Sequence, residues 1–313
     1  MIHRTVGGIV AILLLLASCG EPTTPQASPE TPRPGSAFPV TIAAANGDVT
    51  LERRPERIVS LSPTATEMLF GIGAGEQIEA VDDQSNFPAE APQTDLSGFE
   101  PNVEAIVSYE PDLVVYATEP GDLGSSLEGL GIPTLQQDAP ATLEDVYDQI
   151  DQLGMATGNT TEAAELVEEM RGDIDAIVES IETPDPPLSF YHELDDTYYS
   201  VTSSTFIGQL YSLVGLRNIA DEAKGAGGGY PQLSAEYIIE ADPDLIFLAD
   251  TKCCGQSPRT VSERPGWARI DAVVHGGVIP LNDDVASRWG PRVVDYLRRI
   301  AAAVESVPEM SAA

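Results

Sequence analysis

One stretch of this chain occurs twice. Residues 103–117 read VEAIVSYEPDLVVYA, and residues 235–249 read AEYIIEADPDLIFLA. In the register 101–117 against 233–249 the identities are Glu104/Glu236, Ile106/Ile238, Pro111/Pro243, Asp112/Asp244, Leu113/Leu245 and Ala117/Ala249. Most other pairs keep their polarity. A single repeat at this separation is much longer than a solenoid period. It predicts two lobes of related topology. Each copy reads as a short helix, with Asn102 or Ser234 as N-cap, followed by a buried-type strand.

The surroundings agree. VTIAAANGDVTLE (40–52) alternates around Asn46-Gly47 and predicts a hairpin. RIVSL, IEAVDD, PDLVVYA and IPTLQQ read as strands separated by ATEMLFGI, VEAIVSYE and GDLGSSLEGLG as helices. Thr64 and Glu67 match a capping box. Such alternation predicts a parallel sheet covered on both faces. From Thr142 two long helical stretches follow; in the second, Ala164, Val167, Met170, Ile174, Ile177, Val178 and Ile181 keep near-helical spacing up to the breaker run TPDPP. A helix of about 22 residues spans about 33 Å, enough to bridge two lobes. The strand–helix scheme then restarts with LSFYHEL, FIGQLYSLVG, RNIAD, DPDLIFLA, WARIDAVV and GGVIPL, and a C-terminal helix closes the chain. The expected fold is α/β: two Rossmann-like lobes with mainly parallel sheets, joined by one long interlobe helix. The expected divisions are 1–18 signal peptide, 19–38 anchor and disordered tether, 39–158 N-terminal lobe, 159–184 interlobe helix, 185–307 C-terminal lobe and 308–313 disordered tail.

Arg4, the apolar run Ile9–Leu16 and Ala17-Ser18-Cys19 form a short basic region, an apolar stretch too short to span a bilayer, and small residues before a cleavage point. Leu16-Ala17-Ser18-Cys19 resembles the bacterial lipobox, so Cys19 is expected to become the lipidated first residue, with acyl chains holding the domain outside the cell membrane. Removal of residues 1–18 takes one Arg and no acid, leaving 15 basic against 50 acidic residues. That balance argues against a nucleic-acid partner, whose phosphates it would repel.

Ligands of open α/β sheets sit beyond the carboxyl ends of the strands. The segments placed there carry Phe87, Phe99, Tyr191, Tyr198, Tyr199, Tyr230 and Trp289, with Gln84 in the loop after the second strand. Together these aromatics suit the lining of a cleft for a flat or bulky ligand; singly, each could equally plug a gap in the core. Cys253-Cys254 follows the second duplicated strand. The pair is read as a strained vicinal disulfide, two free thiols, or thiolates on a soft metal. His192 faces ligand or is a plain polar residue. Arg288 and Arg292 meet either an anionic ligand or the protein's own acids. His192 and His275 are too few for a His-rich metal site, GAGGGY has no phosphate-binding spacing, and no nucleophile–base signature is present. Neither a metal site, a cofactor nor enzymatic activity is expected.

The run RIVSLSPTATEMLFGIGAGEQIEAVDDQSNFPAEAP, both PDL strands, the connecting helix and the tail SRWGPRVVDYL resemble the periplasmic binding proteins that deliver cobalamin and iron chelates to ABC importers, over about residues 55–305. The resemblance implies a rigid, monomeric two-lobe binder (class III periplasmic-binding-protein-like) that captures a corrinoid, or alternatively a ferric siderophore or haem. It further implies that Glu104 and Glu236, one on each lobe, dock the importer's permease. On this reading the ligand residues are Gln84, Phe87, Phe99, Tyr191, His192, Tyr198, Tyr230, Cys253, Cys254, Arg288 and Trp289.

Overall fold

A computed structural model describes residues 37–118 and 120–311. The lipobox with Cys19, and most of the expected tether, lie outside the described residues. The chain opens with the hairpin β1 (Val40–Ala44) and β2 (Gly47–Leu51), in which Ala44 faces Gly47. Its tight turn uses Gly47 at φ +108°, where a side chain would be strained.

The first sheet contains β3 (Ile58–Leu61), β4 (Ile78–Val81), β5 (Leu113–Tyr116) and β6 (Thr134–Gln136), all parallel, in the order β4-β3-β5-β6. Its connections include α1 (Pro63–Gly71), α2 (Val103–Val107) and α3 (Leu123–Glu128). Next come α4 (Leu143–Thr157) and α5 (Thr160–Ser180). The second sheet contains β7 (Ser189–Glu193), β8 (Arg217–Asn218), β9 (Leu245–Leu248) and β10 (Val278–Pro280), again all parallel, in the order β10-β9-β7-β8. Around it lie α6 (Phe206–Leu213), α7 (Ala235–Ala241), α8 (Pro258–Ser262), α9 (Asp271–Val274) and α10 (Asp283–Ala286), and α11 (Val293–Ser311) ends the described chain. Numbered from its own first strand, each sheet runs second-first-third-fourth. The two copies of the duplicated sequence occupy equivalent places in two like sheets.

Several of the duplicated identities have a plain structural role. Ile106 and Ile238 fix α2 and α7 to their lobes, and Leu113 and Leu245 open the third strands; all four are buried. Asp112 accepts the amides of Glu56 (3.1 and 3.0 Å) and Arg57 (2.9 Å) below β3. Asp244 accepts the amide and hydroxyl of Ser189, both at 2.7 Å, at the foot of β7. In each lobe this carboxylate satisfies backbone donors that the end of a parallel strand leaves free.

Two expectations about helix ends change. Ser62, not Thr64, caps α1: its side chain accepts from Ala65 N (3.3 Å) and Pro63 takes the first helical position, where a missing N–H costs nothing. Glu67 is therefore free of capping and turns to other partners. At the far end, α11 continues through Ser311, so residues 308–311 extend a helix where a tail was expected.

One apolar core runs through both lobes. It joins Ile58, Met68 and Val115 of the first to Phe190, Phe247 and Ile279 of the second, by way of Ile150, Met170, Ile174, Leu297 and Ile300 on α4, α5 and α11. Among the described residues no helix is long and apolar enough to cross a membrane.

Candidate functional site

Where α1, the β4 loop and the β5 loop meet the segment after α10, a cleft of roughly 350 Å³ opens. The first lobe contributes Ser62, Thr64, Asp82, Gln84, Phe99 and Thr118, and the second contributes Asp284, Ser287, Arg288 and Trp289. Most of the first-lobe residues follow the carboxyl ends of β3, β4 and β5, because right-handed parallel crossovers put the strand-to-helix loops at one edge of the sheet. Gly98 forms part of the wall; a Cβ there would stand 2.7 Å from Leu61 O and 2.8 Å from Asp82 Oδ2, so only glycine lets this loop lie against β3.

The aromatic surface is Phe99, 80% exposed, and the partly buried Trp289, whose indole Nε1 donates to Gln149 Oε1 at 3.0 Å. A ring left that open to solvent has no structural use for its apolar face, which suits contact with a ligand. Asp82 is buried, and desolvation pushes its carboxyl above the ordinary range against the opposing hydrogen bonds of Ser85 and Gln84. Asp284 behaves oppositely. Burial disfavours its charge, but the hydrogen bond from Lys252 and the charge of Arg288 outweigh this and hold it low.

The floor of the cleft is an ion cluster between the lobes. Arg288 Nη1 donates to Glu67 Oε1 (2.9 Å) and Asn86 Oδ1 (3.0 Å), and Nη2 to Gln84 O (2.8 Å). Arg292 grips the same carboxylate, with Nε 2.8 Å from Oε2 and Nη2 on Oε1. Both arginines thus pair with the protein's own acid, and Arg288 lines the cleft as well. Phe87 lies under Arg292, whose guanidinium carbon is 4.3 Å from the ring centre.

Two of the expected ligand residues are corrected. Tyr191 and His192 are fully buried, because they lie inside β7, an internal strand whose residues are all covered, and not beyond its carboxyl end. Alternate side chains of a central strand point to opposite covered faces. Tyr191 packs edge-on to Trp267, and His192 Nδ1 pairs with Tyr211 OH at 2.8 Å. Burial lowers the His192 pKa to about 3, so its ring is neutral. Tyr198 is half-buried and stacked on Trp267. Tyr230 is 53% exposed but, like Phe87, does not line the cleft. Cys253 and Cys254 are exposed free thiols on the loop after β9, also outside the cleft lining. Among the described residues no group of three His, Cys, Asp or Glu side chains could hold a metal ion.

The sequence reading missed Asp82, Gly98, Thr118, Asp284 and Glu67. The first four sit in the same post-strand segments as the aromatics and could have been found by position. Glu67 could not, since its partners lie more than two hundred residues away.

Glu104 and Glu236 occupy matching places in the first turns of α2 and α7, each two residues after its N-cap, and both are exposed. No hydrogen bond or ion pair engages either carboxylate among the described residues.

A model of the periplasmic binding protein family matches residues 58–285. An ABC transporter substrate-binding lipoprotein of Bacillus subtilis is 31% identical over 311 residues, covering 95% of this chain and 96% of its own. A cobalamin-binding protein of Halobacterium salinarum is 30% identical, covering 85% and 74%. Among solved structures, the periplasmic vitamin B12 binding protein of Vibrio cholerae superimposes with a TM-score of 0.66 at 24% identity, over 82% of this chain and 98% of its own. A periplasmic heme-binding protein from Roseiflexus gives 0.71 at 23% identity, over 80% and 98%.

Proposed function

The chain belongs to the periplasmic binding protein family, and we propose that it captures a corrinoid in the cleft between its lobes and delivers it to the permease of an ABC importer. The observation that carries this reading is the matched pair of exposed, unpaired carboxylates, Glu104 and Glu236, one on each of two like lobes. A cap needs no such duplication. Two equivalent anchors suit a permease built from two copies of one surface, where each Glu can meet an arginine in a charge-assisted pair. The ligand class draws support from the relatives named for cobalamin or vitamin B12. Haem or a ferric siderophore in the same role is the second reading, favoured by the heme-binding protein of like fold.

Binding uses the open ring of Phe99 and the indole of Trp289 as apolar faces, with Gln84, Thr118 and Asp82 offering polar contacts around them. No bond is made or broken. The protein works as a monomer, held at the outer face of the membrane by lipid on Cys19.

Two measurements test this. Of the two tryptophans only Trp289 lines the cleft, since Trp267 is fully buried. A corrinoid titration should quench the fluorescence of the parent, and Trp289→Phe should lose most of that quenching. Saturation by haem or ferric chelates, with none by corrinoids, would transfer the assignment to the second reading. Separately, Glu104→Lys with Glu236→Lys should abolish uptake while ligand affinity stays unchanged. Loss of affinity instead would place these residues in the binding site and end the docking proposal.

A further inference from the structure

The thiol pair after β9 has no part in the binding reading, yet its surroundings are organised. We propose that Cys253 and Cys254 form a reversible redox-modification site, closing to a vicinal disulfide by exchange with a small external disulfide.

Three observations carry this. Both thiols are free and exposed, so an oxidant can reach them. They are direct chain neighbours, so their Cα atoms stand only about 3.8 Å apart. The loop holding them is also fixed on both sides of the pair. Thr251 N (3.0 Å) and Oγ1 (2.6 Å) donate to one oxygen of Asp283, and Lys252 N (2.8 Å) and Cys253 N (3.1 Å) donate to the other. Cys254 N and Gln256 N both donate to Asp250 O, at 3.2 and 3.3 Å. Fixing the flanks keeps the sulfurs adjacent, which raises their effective concentration for one another.

The order of events follows from the thiols. Desolvation, with Cys254 beside it, pushes the Cys253 thiol up to about 12, so Cys253 holds its proton and the proposal gives the first attack to its neighbour. The Cys254 thiolate attacks one sulfur of the external disulfide RSSR, forming a mixed disulfide and expelling RS⁻. Cys253 then gives up its proton and attacks the Cys254 sulfur, expelling the second RS⁻. The two protons lost by the cysteines end on the two RS⁻ groups. The protein loses two electrons, and one RSSR becomes two RSH.

Adjacent Cα atoms lie about 3.8 Å apart, short of the ordinary disulfide range. Closure must therefore turn the peptide between the two cysteines, and the Cys254 N–H bond to Asp250 O is made by that peptide. A strained disulfide is readily reduced, which makes the site reversible. The movement also reaches the cleft. Lys252 Nζ is 2.6 Å from Asp284, which lines the cleft and pairs with Asn86 and Arg288.

The test uses the full chain equilibrated in reduced and oxidised glutathione, followed by tryptic mapping of the peptide Cys253–Arg259. The expected result is loss of the mass of two hydrogens from that peptide, reversed by reduced glutathione, with faster hydrogen exchange across residues 251–256. Cys253→Ser should instead trap a stable glutathione adduct on Cys254. A persistent adduct on the parent, a disulfide-linked dimer, or an unchanged peptide would overturn the proposal. None of these outcomes depends on which ligand fills the cleft.

Discussion

Asp112 and Glu104 are both duplicated, and their surroundings separate their tasks. Asp112 and Asp244 are tied into backbone amides at the feet of β3 and β7, whereas Glu104 and Glu236 reach only solvent. Asp112→Ala and Asp244→Ala should each destabilise the fold by about 1–3 kcal/mol, the cost of orphaned polar groups. Glu104→Ala should fall within about 0.5 kcal/mol of the parent, as exposed substitutions do. Urea unfolding of the three variants checks this, and equal losses would mean that Glu104 is structural too. A duplicated residue was legible as important from the chain alone; whether it faces inward or outward was not, because identity carries no direction. Asp250 shows the same limit. It is fully buried after β9, neither of its oxygens has a partner among the described residues, and desolvation with the nearby Glu193 charge pushes it up to about 7 from its ordinary 3.8. Between those values the folded state holds a proton that the unfolded chain has lost, so stability falls as pH rises through that window. Asp250→Asn should therefore gain stability over the parent at pH 8 and lose that advantage near pH 4. Parallel pH profiles for the two proteins would refute the assignment.

Helices and strands were readable wherever local chemistry and packing agreed. Asn102, Ser234 and Thr142 cap the helices they precede, the last in a reciprocal box with Asp145. Thr142→Ala should cost about 1 kcal/mol in thermal or urea unfolding; no measurable loss would mean that α4 is held by its buried face alone. Between α4 and α5 the chain turns at Gly158, whose φ of +76° ends the first helix in the left-handed region. Misreadings occurred where two local signals competed. Thr64 and Glu67 have the spacing of a box, but Pro63 is better placed one residue after Ser62, and the helix starts there. LSFYHEL reads as a strand and forms one, but its far end, which the sequence places on the cleft wall, is covered. Periodicity cannot say where along a continuous apolar run the covering helices stop.

The two lobes share one core through α4, α5 and α11, and the Glu67–Arg288–Arg292 cluster joins them again at the cleft floor. Any relative movement of the lobes would disturb both. Removing the central acid with Glu67→Ala leaves two arginines crowded without their partner, and breaking such buried pairs costs about 3–5 kcal/mol. Calorimetry should show that loss as a lowered melting temperature, and a variant as stable as the parent would mean that water enters and solvates the arginines. The acid excess acts over the entire surface: 50 acidic residues against 16 basic ones repel one another. Screening shortens to about 3 Å at 1 M salt from about 10 Å at 0.1 M. Melting temperature should therefore climb steadily with sodium chloride, and a flat response would show that the charges are spaced widely enough not to interact. The chain's own order of residues was enough to announce two sibling α/β halves, a linking helix and the sheet edge where the cleft opens, because propensity, capping and repetition are local or pairwise along the chain. Which side chains reach that cleft was decided in three dimensions. Burial took Tyr191 and His192 into the core, and Glu67 occupied the arginines, through contacts between residues far apart in sequence that no neighbouring letters encode.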